Sequence, residues 1–165
     1  AGQGDTASSL SDLQGGVHAF SDPDSNSGWL VTASDLARMG SDPVRFFART
    51  FFCYGHRNVV RAVASGLARS GSVDGYVWET LNSVEPDLAA HTRVISRSEW
   101  LGFPPVVARS GTEATAEVLG EAIRGLEVSE AGRGALAMLR LDSFTTGEVS
   151  LYNGIRARMR DVIRL

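Results

Sequence analysis

Apolar residues along the chain fall alternately into short unbroken runs and into stretches spaced three and four apart, the pattern of strands alternating with helices. Gly16 to Phe20 reads as a first strand that passes through Asp22-Pro23 into Ser25, Asn26, Ser27 and Gly28. Leu30, Ala33, Leu36, Ala37 and Met39 then recur at helical spacing, with Gly40 in the closing position. A short helical piece over 42–47 precedes a second strand at Thr50 to Tyr54, which breaks at Gly55-His56 into a helix marked by Val59, Val60, Val63, Ala64 and Leu67. Gly71 to Val77 reads as a third strand ending in polar groups, followed by a helix from Trp78 and a break at Glu85-Pro86-Asp87. Thr92 to Ser96 reads as a fourth strand, and Phe103 to Arg109 as a Pro-rich crossing into an apolar strand. The remainder is helical: Glu113 to Leu126 behind a Ser110 to Glu113 capping box, Ala131 to Leu141, and Leu151 to Leu165. Residues 1–12 form a frayed entry with a turn at Ser8 to Leu13.

This order predicts an α/β domain, a mostly parallel sheet flanked by helices, built from residues 1–165 with a sheet-bearing part at about 10–108 and C-terminal helices over 110–165. Ligands in that architecture sit at the carboxyl ends of strands near the switch in strand order. Ser25 to Gly28, Gly55-His56 and Asp74 to Tyr76 are therefore expected to converge on one rim. The first amides of a helix lack intrahelical acceptors and lie at the positive end of its dipole, so the serine turn suits an anion; equally, Ser25 or Ser27 is an ordinary helix cap. Gly28 removes the side chain that would hold a ligand off the backbone.

Charge narrows the partner. With 16 basic against 19 acidic residues and a net charge of -3, there is no basic footprint for nucleic acid, and an anion must be held by local dipoles and hydroxyls. All the basic residues are Arg, which excludes a Schiff-base or P-loop lysine. The single Cys53 sits in an apolar run and reads as a structural thiol, and no run reaches the ~18 apolar residues of a membrane span. No Gly-x-Ser-x-Gly, His-Glu-x-x-His or metal-ligand spacing occurs, so neither catalysis, a metal nor a cofactor is expected. His56, beside a strand end and a glycine, can donate to an anion in either protonation state, whereas His18 and His91 read as structural or solvated. Asp74 accepts from a ligand or caps the following helix, Tyr76 and Trp78 wall a pocket or join the core, and Arg57 pairs with an anion or lies on a solvated face. The arginines at 156, 158, 160 and 164 read as a solvated helix face interrupted by Asp161.

The motifs Ser9-Leu10-Ser11-Asp12-Leu13-Gln14-Gly15, Asp22-Pro23-Asp24-Ser25-Asn26-Ser27-Gly28-Trp29-Leu30, Gly55-His56, Ala62-Val63-Ala64-Ser65-Gly66, Val73-Asp74-Gly75 and Phe103-Pro104-Pro105-Val106-Val107-Ala108-Arg109 follow one another in an order that resembles the phosphate, phosphite and phosphonate substrate-binding proteins of ABC transporters, a branch of the two-lobed type II periplasmic binding proteins. The resemblance implies one lobe of that fold plus C-terminal helices, with the family's N-terminal lobe absent. It implies capture of a small tetrahedral oxyanion (phosphonate, phosphite or phosphate) by Ser25, Asn26, Ser27 and His56, to which the turn and rim reading adds Gly28, Asp74 and Tyr76 as candidate ligand-binding residues. It further implies an ABC transporter permease as partner and a periplasmic or extracytoplasmic location, secreted or lipid-anchored at full length. The chain departs from the pattern at Asn26, usually Ser or Thr, and at Arg57, where phosphonate binders often carry an acid; the latter puts an aminoalkyl phosphonate in doubt. Alternative readings of the same fold are an extracytoplasmic sensor or regulatory ligand-binding domain, or a stand-alone interaction lobe.

Overall fold

The computed structural model describes residues 1–163, and the predicted end of the last helix and Arg164 lie outside the described residues. Three parallel strands form the sheet, β1 (Val17–Phe20), β2 (Arg49–Phe52) and β3 (Ser70–Gly71), in the order β2-β1-β3. Val17 pairs with Arg49 and Phe20 with Phe52 on one side of β1, and His18 pairs with Ser70 on the other. The chain leaves the central strand toward β2 and returns across it to β3, so the switch in strand order falls at β1.

Between β1 and β2 run α1 (Val31–Arg38) and α2 (Pro43–Phe46), and between β2 and β3 runs α3 (His56–Ala64). After β3 come α4 (Gly75–Val84) and α5 (Pro86–Ala89). The local causes are short-range. The Asp42 carboxylate accepts from the amides of Val44 and Arg45 and Pro43 opens α2, while Gly40 takes a left-handed φ of 73° just past the end of α1.

Alternation along β1 divides the core between the two faces of the sheet. Phe20 packs with Leu13, Leu36, Phe46 and Phe47, whereas Ala19 packs with Val59, Ala62, Val63 and Ala68 of the α3 side. Phe20, Leu36 and Val59 are at most 1% exposed, and each contributes about 1.5–3 kcal/mol from burial. Gly71 lets β3 approach α3, since a Cβ there would lie 2.3 Å from the Val59 side chain.

Two units divide the chain. The first holds Ala1–Trp100 and the segment from Asn153, with the sheet, its helices and α8 (Asn153–Ile163), and the second, Leu101–Tyr152, holds α6 (Glu113–Arg124) and α7 (Glu130–Leu139). In the second unit, α6 has no buried residue, and α7 buries Leu136 and Gly132 and is capped by Ser129.

Several predicted boundaries move. Residues 92–96 and 103–109 form no strand: Thr92 makes only an isolated antiparallel bridge to Gly2, and no ladder partner lies beside 103–109. β3 is two residues long because Asp74 already caps α4 through the amides of Tyr76 and Val77. The residue before α6 is Thr112, not Ser110, and the Glu113 carboxylate accepts from the Gly111 amide. No helix of the described residues is long and apolar enough to cross a membrane.

Candidate functional site

Because the three strands are parallel, the segments that follow them leave from the same end of the sheet. Hydrogen bonds tie these segments together: the Cys53 amide donates to Phe20 O at 2.8 Å, the Gly55 amide to Ser21 O at 3.2 Å, and the Ser72 amide to Ala19 O at 3.0 Å. The Asp74 amide donates to Nδ1 of His56 at 3.1 Å. Of the predicted residues, Ser25, Asn26, Ser27 and Gly28 follow β1, His56 opens α3, and Asp74 and Tyr76 follow β3 into α4.

The serine turn has an uncommon form. Asn26–Leu30 makes a π-helical turn, with the Leu30 amide bonded to Ser25 O at 3.0 Å, before α1 begins. Ser25 Oγ accepts from the Gly28 amide at 3.0 Å, so Ser25 is the cap of this turn. Gly28 is buried and its carbonyl accepts from the Ser21 amide; a Cβ placed on it would fall 1.6 Å from Ser21 Oγ. The glycine therefore answers first to the protein's own Ser21. Among the described residues, the buried side-chain polar atoms without a hydrogen-bond partner are Ser21 Oγ and Asn26 Oδ1, both at this turn. Buried polar groups are nearly always satisfied; of these two, the Ser21 hydroxyl has a hydrogen to give to an acceptor, whereas Asn26 Oδ1, an amide oxygen, only accepts.

His56 is half-buried at the first position of α3. Burial lowers its pKa below the usual histidine range, partly opposed by the Asp74 carboxylate. Its Nδ1 accepts from the Asp74 amide, which leaves the hydrogen of the neutral ring on Nε2 as a donor. Before it, Tyr54 adopts a left-handed φ of 51°, rare for a non-glycine residue. The Asn58 side chain, donating to Cys53 O, and the Gly55 to Ser21 bond hold that corner.

Other candidates find structural partners. Asp74 Oδ1 accepts from Tyr76 and Val77, so its capping role is realised, and Trp78 Nε1 donates to Thr92 Oγ1 at 3.2 Å. Tyr76 is half-buried in the first turn of α4. Arg57 forms a two-point ion pair with Glu85, so it lies on a solvated face. Cys53 is half-buried and burial raises its thiol pKa. The expectation of a solvated C-terminal arginine face fails at Arg158, which is 2% exposed and bonded to Glu99, Asp35 and Val31 O; Arg156 and Arg160 are exposed.

An open cavity of about 480 Å³ lies at the other end of the sheet, lined by Gly2, Asp5, Val17, Val63, Leu67 and Arg69 among others. Arg69 there is already bound to the Asp5 carboxylate and Asp12 O, which leaves little pull on an anion. Ser21, Thr32 and Ser72 were not legible as rim residues, because their placement depends on pairing between segments tens of residues apart.

The first unit is an α/β lobe whose sheet is covered on both faces and whose polar segments follow the carboxyl ends of its strands. The model of the family described as the periplasmic substrate-binding protein of phosphonate ABC transporters matches residues 1–152, and the chain belongs to that family. No curated protein matches the chain. Among solved structures, it is similar to PhnD1 from Prochlorococcus marinus in complex with methylphosphonate, at 20% identity and a TM-score of 0.78 over 94% of this chain and 60% of that one. It is also similar to a binding protein component of an ABC phosphonate transporter from Pseudomonas aeruginosa, at 21% identity and a TM-score of 0.81 over 99% of this chain and 57% of that one. A Xanthomonas citri protein bound to chloride ion is similar at 19% identity and a TM-score of 0.69, over 99% of this chain and 63% of that one. At these identities the likeness is one of fold, and the chain spans less than two thirds of the length of each.

Proposed function

We propose that this chain is the oxyanion-holding lobe of an ABC transporter solute receptor for a small tetrahedral oxyanion such as a phosphonate, phosphite or phosphate. The observation that carries the reading is the turn at Ser25 to Gly28, where Ser25 caps the Gly28 amide and the buried Ser21 hydroxyl has no partner, beside a segment on which the Asp74 amide fixes the His56 ring with Nε2–H as its donor. Ser27 and Asn26 supply donors at the open turn, and Ser25 shapes it by capping. His56 adds a directed ring N–H, while Asp74 orients that ring through its amide and Tyr76 stands at the mouth of α4. The family match supports transport and a permease partner outside the cytoplasm, with no catalytic step. A single lobe leaves its ligand partly hydrated, so a Kd in the millimolar range, about 4 kcal/mol, is expected.

Thermal shift against phosphate, phosphite, methylphosphonate, 2-aminoethylphosphonate and sulfate tests the reading. At tenfold over Kd a bound ligand adds about 1.4 kcal/mol, a rise of about 3–5 °C for a domain of this size. A selective rise that disappears in Ser27→Ala is the expected result. Equal, flat curves for the two proteins with every anion would overturn it.

A further inference from the structure

His18 is unlike its surroundings. It lies at the middle of the sheet, 3% exposed, stacked on Phe47 with centroids 4.3 Å apart and tilted against Phe20 at 4.6 Å. Among phenylalanines a third phenylalanine would fill the space, yet both ring nitrogens are used. Nδ1 is 2.8 Å from Ser70 Oγ and Nε2 is 2.9 Å from Ser72 Oγ, both on the neighbouring β3 side. Ser72 Oγ is in turn 2.6 Å from Thr32 Oγ1, on the second residue of α1. Burial lowers the His18 pKa to about 3, so the ring is neutral at ordinary pH.

A neutral imidazole has one N–H and one lone pair, so the four groups can be ordered in two ways. With hydrogen on Nδ1, the ring donates to Ser70 and accepts from Ser72; Ser72 must then accept from Thr32, and the Thr32 hydrogen is spent inward. With hydrogen on Nε2, Ser70 donates to Nδ1, the ring donates to Ser72, Ser72 donates to Thr32, and the Thr32 hydrogen is released. An O···O separation of 2.6 Å places a hydrogen between Ser72 and Thr32, and only the Nε2–H order lets that hydrogen come from Ser72.

The relay ends in the first turn of α1, the helix that follows the serine turn. Thr32 is partly exposed and follows Gly28 by four residues, and Ser72 precedes by two the Asp74 whose amide holds His56. We propose that His18 is a positioning residue for the anion site: an oxyanion selects the Nε2–H tautomer, and the relay through Ser72 turns the Thr32 hydroxyl into a donor for the ligand. This rests on the oxyanion reading given above. The exchange breaks the Nδ1–H bond and forms an Nε2–H bond, one proton being released to water and one taken up from it so that the charge is unchanged, while the Ser70, Ser72 and Thr32 hydroxyls rotate.

The test is the His18 ring tautomer in the 165-residue chain labelled with ¹⁵N-histidine, read from long-range ¹H–¹⁵N spectra with and without methylphosphonate, with peaks assigned by His18→Gln. The Nε2–H form should become dominant at saturation. Thr32→Val, at a partly exposed position, should weaken methylphosphonate by about tenfold, the worth of one charge-assisted hydrogen bond. His18→Phe should weaken it equally and add nothing to Thr32→Val, whereas His18→Gln, which keeps a donor and an acceptor, should recover most of the affinity. Saturable binding that Ser27→Ala abolishes, with His18 unchanged in tautomer and Thr32→Val at full affinity, overturns this inference and leaves the oxyanion reading standing. No saturable binding by the unmodified chain overturns both.

Discussion

Gly28 shows how a single residue is constrained from two sides. In the sequence it reads as backbone freed for a ligand, and in the structure its missing Cβ makes room for Ser21, whose Oγ and Cβ would lie 1.6 and 2.6 Å from it. A clash with backbone-anchored atoms at a fully packed corner cannot be absorbed by one rotamer, because Ser21 is 1% exposed. Gly28→Ala should therefore lose about 1–3 kcal/mol, and adding Ser21→Gly should return part of it. Urea midpoints of the single and double variants decide the matter; a Gly28→Ala midpoint equal to that of the unmodified chain would remove the Ser21 contact as the cause. The legible part was the glycine, since only a residue without a side chain suits such a turn. Ser21 was illegible because nothing local distinguishes it from other turn serines.

At the scale of elements, α8 is held on α1 by charge as well as by apolar contact. Arg158 lies 2.7 Å from Asp35 and bonds Glu99, Ser34 and Val31 O, while Asp161 accepts from Ser34 Oγ and from Arg38. A buried guanidinium with this many acceptors is fixed by its planar fork. The carboxylates of Asp35 and Glu99 are 38% and 51% exposed, so on loss of the arginine they return to water and soften the penalty that a fully buried orphan would incur. Arg158→Ala should cost about 2 kcal/mol, and Arg158→Lys should recover less than half of it. Thermal midpoints of the two variants check this; full rescue by lysine would mean that charge alone suffices. Helical periodicity had placed α8 but assigned its arginines to solvent, since a pattern of exposed charges does not reveal that one of them meets α1 more than a hundred residues earlier.

For the molecule as a whole, stability should depend on pH through groups spread across the first unit. The pKa of His18 falls from 6.5 to about 3 on folding, so the unfolded chain takes up its proton first as pH drops. Its contribution is complete above about pH 6.5 and is lost between about 6.5 and 3, at up to about 1.4 kcal/mol per pH unit. His56 shifts in the same direction. Asp5, lowered to about 2 chiefly by its hydrogen bond from Arg69, contributes stability present above pH 3.8 that is lost as pH falls toward 2. Urea unfolding at pH 7, 5 and 4 should show a steady decline, and the slope between pH 7 and 5 should flatten in His18→Phe. Equal stability at pH 7 and 5 in the unmodified chain would contradict this account.

Periodicity and turn chemistry settle the order of elements in this chain: strand, serine turn and helix, then strand, Gly-His and helix, with Asp42 and Gly40 as boundary residues. Those signals act over three or four residues and survive in any surroundings. They also place the polar segments at one end of a parallel sheet, because parallel pairing carries every strand end to the same side. Neighbours distant in sequence decided the rest. Residues 92–96 and 103–109 have strand composition but no ladder beside them, and a strand needs a partner's amides and carbonyls. The Ser70–His18–Ser72–Thr32 relay and the burial of Arg158 arise from groups 40 to 127 residues apart meeting in a dry interior, where each polar atom must find a partner that the local pattern does not name.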